Sequence, residues 1–593
     1  MSHTTRSNAA SHPNGSSGDP SAQQPPTDRP GGWFDRIERI GNALPEPALI
    51  FAILSAVVIV VSAIGVAADW RIQPIKPKAE LVEKVDPDGA PVLAADGKPV
   101  LVPKLDEAGK PIVALVGETD KDGKPVELVA KSLLTSDGIY WMLSSMVRNF
   151  TTLPALGLVF VSMLGIGLAE KFGLFSALMR WLALITPRRL LTPTIVLIGA
   201  NAAVASDAGY IILPPLAAAL YLAMNRPPVA GLAAAFAGVA GGFGGGFFPN
   251  AGDGFLAGVA TTSAHIVDPS YHAVDPTHNW YFKALSSVVI MFAGWFVTDW
   301  IVEPRLKRLG GTAKFDDMPS LSDLALKAEE KRGLIAAGVV ALIVLGLFVA
   351  AVRIPGWPLA GEGQPTLATG APAPGERAGD RWSQVIVPLI LVVFLLPGMA
   401  YGWVTGTLRR QADFIDGIYH GIRSIVPVLA IAFFMGQFVN YFQYTGLDRM
   451  LAYAGGSFLF QADLPIPLLI VLFVLLVIGG DFVMSGMLSK FGVLAPIFIP
   501  MFMMVGMSPE LTTAAYRIGD SVVNIITPLN SYLLIILVAM QRYSKNAGLG
   551  SLITLMLPYS IVFGIVWTAF LLLWYWIGLP LGTDAPVSYV PGA

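Results

Sequence analysis

Arg517-Ile518-Gly519-Asp520-Ser521-Val522-Val523-Asn524-Ile525-Ile526-Thr527-Pro528 places two opposite charges, an amide and a helix breaker inside a long apolar stretch. Arg517, Asp520 and Asn524 stand three and four apart, so a helix lines them along one face, and Pro528 extends that stripe while breaking the ladder beyond it. The same grammar occurs earlier in the chain. Lys171-Phe172-Gly173 is followed by Asp207, Pro215, Leu216, Met224-Asn225-Arg226 and Gly231-Leu232. The later copy runs Lys490-Phe491-Gly492, Asp520, Pro528, Leu529, Met540-Gln541-Arg542 and Gly548-Leu549, and in both the aspartate precedes the proline by eight residues. A unit repeated with a charge and a helix breaker at membrane depth is the pattern of a secondary transporter built from two related halves.

Composition sets the same frame. Of 593 residues, 54% are hydrophobic and 13% charged, too few polar residues to clothe a soluble surface of this size. Mean hydropathy is +0.62, that of a polytopic membrane protein. The near-zero net charge of -2 and the lack of a basic tract with interleaved aromatics speak against a nucleic-acid partner. Cysteine is absent, which removes disulfides, thiol nucleophiles and thiolate metal sites. The six histidines cluster only in the loop from His265 to His278, without metal-ligand geometry in their spacing.

Residues 1–35 read as a disordered cytoplasmic tail, rich in Ser, Pro, Gly and Gln and lacking the apolar core of a signal peptide. Residues 36–67 hold the first transmembrane helix, a signal anchor, and 68–137 an outer loop insertion in which Asp-Gly and Gly-Lys-Pro units between Val-rich runs suggest short β-hairpins. A first repeat with one hairpin follows at 138–302, a cytoplasmic loop at 303–332, connecting helices at 333–422, a second repeat with a second hairpin at 423–580, and a tail at 581–593. Spanning runs are expected at 47–67, 281–301, 333–352, 384–404, 423–443 and 557–579, each near the length that about 30 Å of hydrocarbon requires. The stretch 353–381, rich in Pro, Gly and Ala, reads as a flexible linker.

Residues 153–186 and 466–506 each read as two apolar half-spans meeting at a polar point, Glu170-Lys171 and Ser489-Lys490. They fit re-entrant hairpins with charged tips near mid-membrane; the plainer alternative is pairs of full spans joined by surface loops. Arginine and lysine at 180–189, 305–308, 409–423 and 542–545 mark the cytoplasmic side and put the two copies in opposite orientation. The glycine-rich tract 228–266 stays unresolved; a broken helix with a short return at 254–266 reconciles the loop charges.

A charge at the centre of a spanning helix costs about 2.5–3.5 kcal/mol on insertion scales, so Arg517 and Asp520 need a partner or a task. They can neutralise each other, or the Arg517 guanidinium can receive a substrate carboxylate in two-point fashion. Asp207 has no arginine nearby in sequence and is a candidate for proton or cation binding, with Asn201 and Ser206 as further oxygens for sodium; the alternative is a carboxylate in a water-filled vestibule. Asp481 and Asp253 rank below Asp207 and Asp520.

Ala169-Glu170-Lys171, Ala205 to Tyr210 with its following Leu213-Pro214-Pro215-Leu216, Ala495 to Met503, and Tyr516 to Leu529 together resemble the p-aminobenzoyl-glutamate transporter (AbgT) family over about residues 36–580, apart from the enlarged outer loop. The resemblance implies an all-α polytopic inner-membrane homodimer in the bacterial cytoplasmic membrane. Each subunit would hold two re-entrant hairpins and about nine transmembrane helices, to which the residues themselves add the inverted repeat and a small β-hairpin insertion in the first outer loop. It implies transport of p-aminobenzoyl-glutamate or p-aminobenzoate-like antimetabolites, coupled to sodium or protons, with no other cofactor. Carried onto this chain, the implicated positions are Asp207, Arg517, Asp520, Asn524 and Pro528. With the hairpin tips, the expected substrate-binding set is Arg517, Asn524, Pro528, Ser489, Lys490, Phe491, Lys171 and Gly173. The expected coupling set is Asp207, Asp520, Asn201 and Ser206, sodium sitting on Asp207 and Asp520. The chain departs from the family at Leu488-Ser489-Lys490-Phe491, where Ser-Ala-Lys-Trp is usual, and in the added acid Asp481.

Other readings are a sodium-coupled dicarboxylate transporter and, in another class, a membrane-embedded enzyme. The latter lacks a serine and histidine pair, a metal cluster or a zincin-type helix within the spans. A channel is disfavoured by the two broken repeats.

Overall fold

The computed structural model describes residues 47–590 except 80, 84–100, 104–112, 120, 121, 123, 206, 207, 309–324, 362–380, 485 and 546. The N-terminal tail, most Asp-Gly turns of the outer insertion, much of the 303–332 loop and of the 353–381 linker, and the pair Ser206 and Asp207 therefore lie outside the described residues.

Helix α1 (Pro47–Ala67) leads to an antiparallel arm: β1 (Arg71–Ile72), β2 (Ile75–Ala79), β3 (Leu81–Glu83), β4 (Leu101–Pro103), β5 (Val113–Gly117) and β6 (Leu128–Val129). The pairings nest, Arg71 opposite Val129, Ile75 opposite Gly117 and Leu81 opposite Pro103. The described strands of the insertion thus form one nested antiparallel hairpin, and the Asp-Gly turns at Asp88 and Asp96 lie outside the described residues. Ile72, Ile75, Leu115 and Leu128 at the arm's base rest on a small core of Ile266, Val267, Ala452, Tyr453 and Met504.

Helices α2 (Ser136–Thr151), capped by the Thr135 hydroxyl, and α3 (Pro154–Lys171) follow each other as one 36-residue apolar run. Next come α4 (Leu174–Ile185), α5 (Leu191–Asn201), α6 (Ala208–Ala223), α7 (Pro228–Phe236), α8 (Ala251–Ala264), α9 (Trp280–Phe296), α10 (Glu303–Arg308), α11 (Ala328–Arg353), α12 (Ile386–Thr405), α13 (Gln411–Thr445) and α14 (Leu447–Gln461). The chain closes with α15 (Ile466–Gly480), α16 (Met487–Met503), α17 (Pro509–Val523), α18 (Tyr532–Gln541) and α19 (Leu549–Ile577). Among the described residues seven helical runs are long and apolar enough to cross a membrane, eight if α4 and the next helix, bent by 119°, form one span. Every spanning run expected from hydropathy falls on one of them.

Small residues let these helices close up, as lipid-embedded bundles require. An added Cβ on Gly167 of α3 would stand 2.2 Å from the Cα of Gly421 on α13, and one on Gly199 of α5 would meet Gly238 at 2.8 Å. The unresolved tract becomes α7, whose nine residues are all buried, a π-turn at Ala237–Gly241, an irregular stretch 242–250, and the return helix α8.

The second hairpin leaves its first arm at Asp481 and enters its second at Gly486, so it does not turn at Ser489-Lys490. Gly486, at φ 94°, starts α16, so Lys490 sits one turn inside a helix. The first turns at Phe172-Gly173, where Gly173 adopts φ 88°. There the Lys171 ammonium meets Asp416 at 2.8 Å with both side chains nearly half exposed, a geometry of the aqueous edge. The long α2–α3 run delivers Lys171 to that edge, beside the first turns of α13 that carry Asp416. The strap 265–279 meets the chain after α19 where the Tyr589 hydroxyl donates to Asp268, and Ser508, ahead of α17, donates to the Pro586 carbonyl.

Candidate substrate and ion site

Helix α17 is the axis of the site. Ser508 caps it by accepting from the Leu511 amide, Pro509 fits its first turn, and all fifteen of its residues are buried. A helix so enclosed must satisfy each polar side chain against its neighbours. It ends at Asn524, ahead of Pro528, and Asn530 spans the break: its amide donates to the Asn524 carbonyl at 2.7 Å while its oxygen accepts from the Tyr532 amide. One carbonyl freed by the break is thereby satisfied.

Arg517 and Asp520 do not pair with each other. The Arg517 guanidinium meets Asp253 Oδ1 at 2.6 Å and donates from Nε to Asn279 Oδ1 at 3.1 Å. Lys283 of α9 meets the other oxygen of Asp253 at 2.5 Å. Asp253 also closes the capping box of α8, its Oδ2 accepting from the Asn250 amide at 2.7 Å. All three side chains are 2–3% exposed. The group holds two cations and one acid.

Asp520 faces the other way. The Lys490 ammonium bridges it, at 3.0 Å, to Asp481, and the three side chains are 0–3% exposed. Asn524 donates to Asp520 at 3.4 Å, Thr527 to the Asp481 carbonyl at 3.2 Å, and Tyr516 to the Met487 carbonyl at 2.5 Å. This group holds two acids and one cation. Arg517 and Asp520 diverge because each finds a buried opposite charge on a neighbouring element, which fixes it better than a mutual contact along one helix. Asp253 and Asp481, ranked lower from sequence, are thus at the centre, and Lys283 was missed altogether. Its signal was a lone ammonium in the apolar run of α9, while Asp253 is announced by the Asn250-Ala251-Gly252-Asp253 capping pattern.

A cavity of about 370 Å³ is lined by Asn250 and Gly252, which flank Asp253 in α8, by Met487 and Asn524, which bond Tyr516 and Asp520, and by Val159 and Met163 of α3; the six charged side chains lie behind this lining. Tyr210 and Tyr532, also on its lining, stack with centroids 4.0 Å apart and planes 9° apart, joining the two repeats. Of the other expected residues, Phe491 packs on the Tyr516 ring at 4.8 Å and Ser489 is buried. Pro528 is half-buried. The Asn201 side chain spans the Leu197 carbonyl and the Phe247 amide, which occupies both ends of its amide. Lys171 pairs with Asp416, and Gly173 lies beside Tyr401.

The strap reaches the site through Asn279, which also donates to the Glu510 carbonyl at 3.0 Å. The Glu510 carboxylate accepts from Tyr271 at 2.9 Å and lies 3.1 Å from the His272 ring. Burial works against a charge on His272, but the Glu510 hydrogen bond and charge outweigh it and raise the pKa above 6.5. Burial pushes Asp275 up to about 6 against two hydrogen bonds from Thr277. Burial and then the nearby Arg517 charge push His278 down to about 3, so its ring is neutral.

The AbgT putative transporter family matches residues 32–589. The p-aminobenzoyl-glutamate transport protein of Escherichia coli (strain K12) is 33% identical over 560 residues, covering 94% of this chain and 97% of that protein. Two solved structures are similar. The YdaH transporter of Alcanivorax borkumensis, described as having an unusual topology, aligns with a TM-score of 0.73 and 30% identity over 91% of this chain and 100% of its own. Neisseria gonorrhoeae MtrF, described as illuminating a class of antimetabolite efflux pumps, aligns with a TM-score of 0.75 and 35% identity over 94% and 100%.

Proposed function

This chain belongs to the AbgT family of membrane transporters, and on that premise we propose that it is a cation-coupled carrier of small carboxylate-bearing aromatic solutes of the p-aminobenzoyl-glutamate or p-aminobenzoate kind. The observation that carries the reading is the pair of oppositely biased charge groups on α17. Arg517, Lys283 and Asp253 leave one cation in excess, and Asp481, Asp520 and Lys490 leave one acid in excess, beside a common cavity. A carboxylate about 4 Å from the uncompensated cation gains about 4 kcal/mol at an effective dielectric of 20. A sodium ion or proton does the same for the acid pair, so solute and coupling ion each complete one group. Asp207, with Ser206, is a further candidate for the coupling ion. The stacked Tyr210 and Tyr532 offer an aromatic wall that Phe491, turned into the core, does not.

The carrier works in the bacterial cytoplasmic membrane as a homodimer in which each subunit has its own pathway. Purified protein in liposomes tests the reading, with sodium and proton gradients imposed one at a time. Saturable accumulation of labelled p-aminobenzoyl-glutamate or p-aminobenzoate under one gradient is expected, with succinate competing poorly. Overturning outcomes are flux that never saturates, indifference to both gradients, or chemical conversion of the solute.

A further inference from the structure

Asp253 has a second partner that its neutrality does not require. Arg517 alone would neutralise it, yet Lys283 is buried to 2% against the same carboxylate. A buried lysine beyond charge balance is costly, and an apolar side chain would fill its space at less expense. The protein nevertheless builds a housing for it. The ammonium also donates to the Phe248 carbonyl at 3.2 Å. Gly246, whose φ is 134°, packs on the stem: a Cβ there would come within 3.3 Å of Lys283 Cε. The Asp253 oxygen that holds Lys283 also accepts the amide of Asn250, a residue on the cavity wall. The acids of the neighbouring group both meet Lys490.

We infer that Lys283 is a positioning residue that keeps Asp253 compensated while Arg517 leaves it for the carboxylate of the solute. In the empty carrier Arg517 and Lys283 share Asp253. When a solute carboxylate arrives, Arg517 exchanges one carboxylate for the other, and the group becomes two matched pairs, Asp253 with Lys283 and the solute with Arg517. Without Lys283, the same exchange would strand Asp253 as a bare buried anion. Arg517 would then stay locked.

The inference rests on the transport reading and is tested with K283M, K283R and the double variant D253N/K283M. Binding of p-aminobenzoyl-glutamate to the purified protein and its transport KM in liposomes are measured beside thermal stability. K283M is expected to raise Kd and KM at least tenfold while losing no stability, because it leaves a neutral Asp253–Arg517 pair. K283R restores the affinity to within threefold. D253N/K283M, in which Arg517 has no competitor, also recovers most of it. Affinity in K283M equal to that of the parent protein, a double variant no better than K283M, or a K283M that fails to fold each overturns the exchange. A parent protein that binds no carboxylate solute overturns the transport reading instead.

Discussion

Replacing Lys490 by Met removes the cation that bridges two carboxylates that are 0% exposed. Breaking a buried pair by deleting one partner costs about 3–5 kcal/mol, because the survivor stays buried and uncompensated. Left without the shared ammonium, the two acids also repel each other, which adds to that cost. Asp481→Asn acts in the opposite sense. It leaves Lys490 and Asp520 as a matched pair at 3.0 Å, so stability should change by less than about 1 kcal/mol. The combination K490M/D481N removes one acid with the cation and should recover about 2 kcal/mol or more of the K490M loss, a coupling of the size expected for groups in contact. Equilibrium SDS titration in mixed micelles measures the cycle. Transport separates the variants again: D481N folds normally but loses its response to the coupling gradient, since the excess acid is gone. Additive effects in the cycle, or D481N as damaging as K490M, would refute the reasoning.

Three further outcomes are expected. Arg517→Ala leaves Asp253 paired with Lys283, so the fold survives, while loss of a two-point charge-assisted contact of about 1.5–3 kcal/mol per hydrogen bond weakens solute binding by about a hundredfold or more in equilibrium binding. Gly167→Val forces a side chain into the 2.2 Å approach to Gly421 and should cost about 1–3 kcal/mol, read as a lower unfolding temperature with normal dispersity of the surviving fraction. His272 and Asp275 both have folded-state pKa values raised above their unfolded ones, so each stabilises the strap below its unfolded value and loses that contribution as pH rises through its folded value. Hydrogen exchange at 265–279, corrected for intrinsic rates, should show protection falling first between about 4 and 6 as Asp275 ionises, then again above 6.5 as His272 loses its proton; His272→Gln should abolish the upper step alone.

Hydropathy and helix breakers act over a few turns, so the sequence was sufficient for them. The spans, the doubled unit, the interruption before Pro528 and the burial of Arg517 and Asp520 inside an apolar stretch all follow from local apolar length and from proline's missing donor. The glycine tract was not legible in this way, because Ala and Gly residues 228–246 favour no single path until neighbours close on them.

Ion-pair choice is a different kind of property. Asp253, Lys283 and Arg517 come from three helices, and Asp481, Lys490 and Asp520 from both arms of a hairpin and the helix it holds. Coulombic contact in a low-dielectric interior depends on separations of a few ångströms, which packing of distant segments sets and spacing along the chain does not. So sequence identified α17 as the charged axis, and only the folded arrangement decided which acid holds which base. The same limit explains Lys171: its repeat-mate Lys490 is buried, but the length of the helix run before it carries Lys171 out to Asp416 at the aqueous edge.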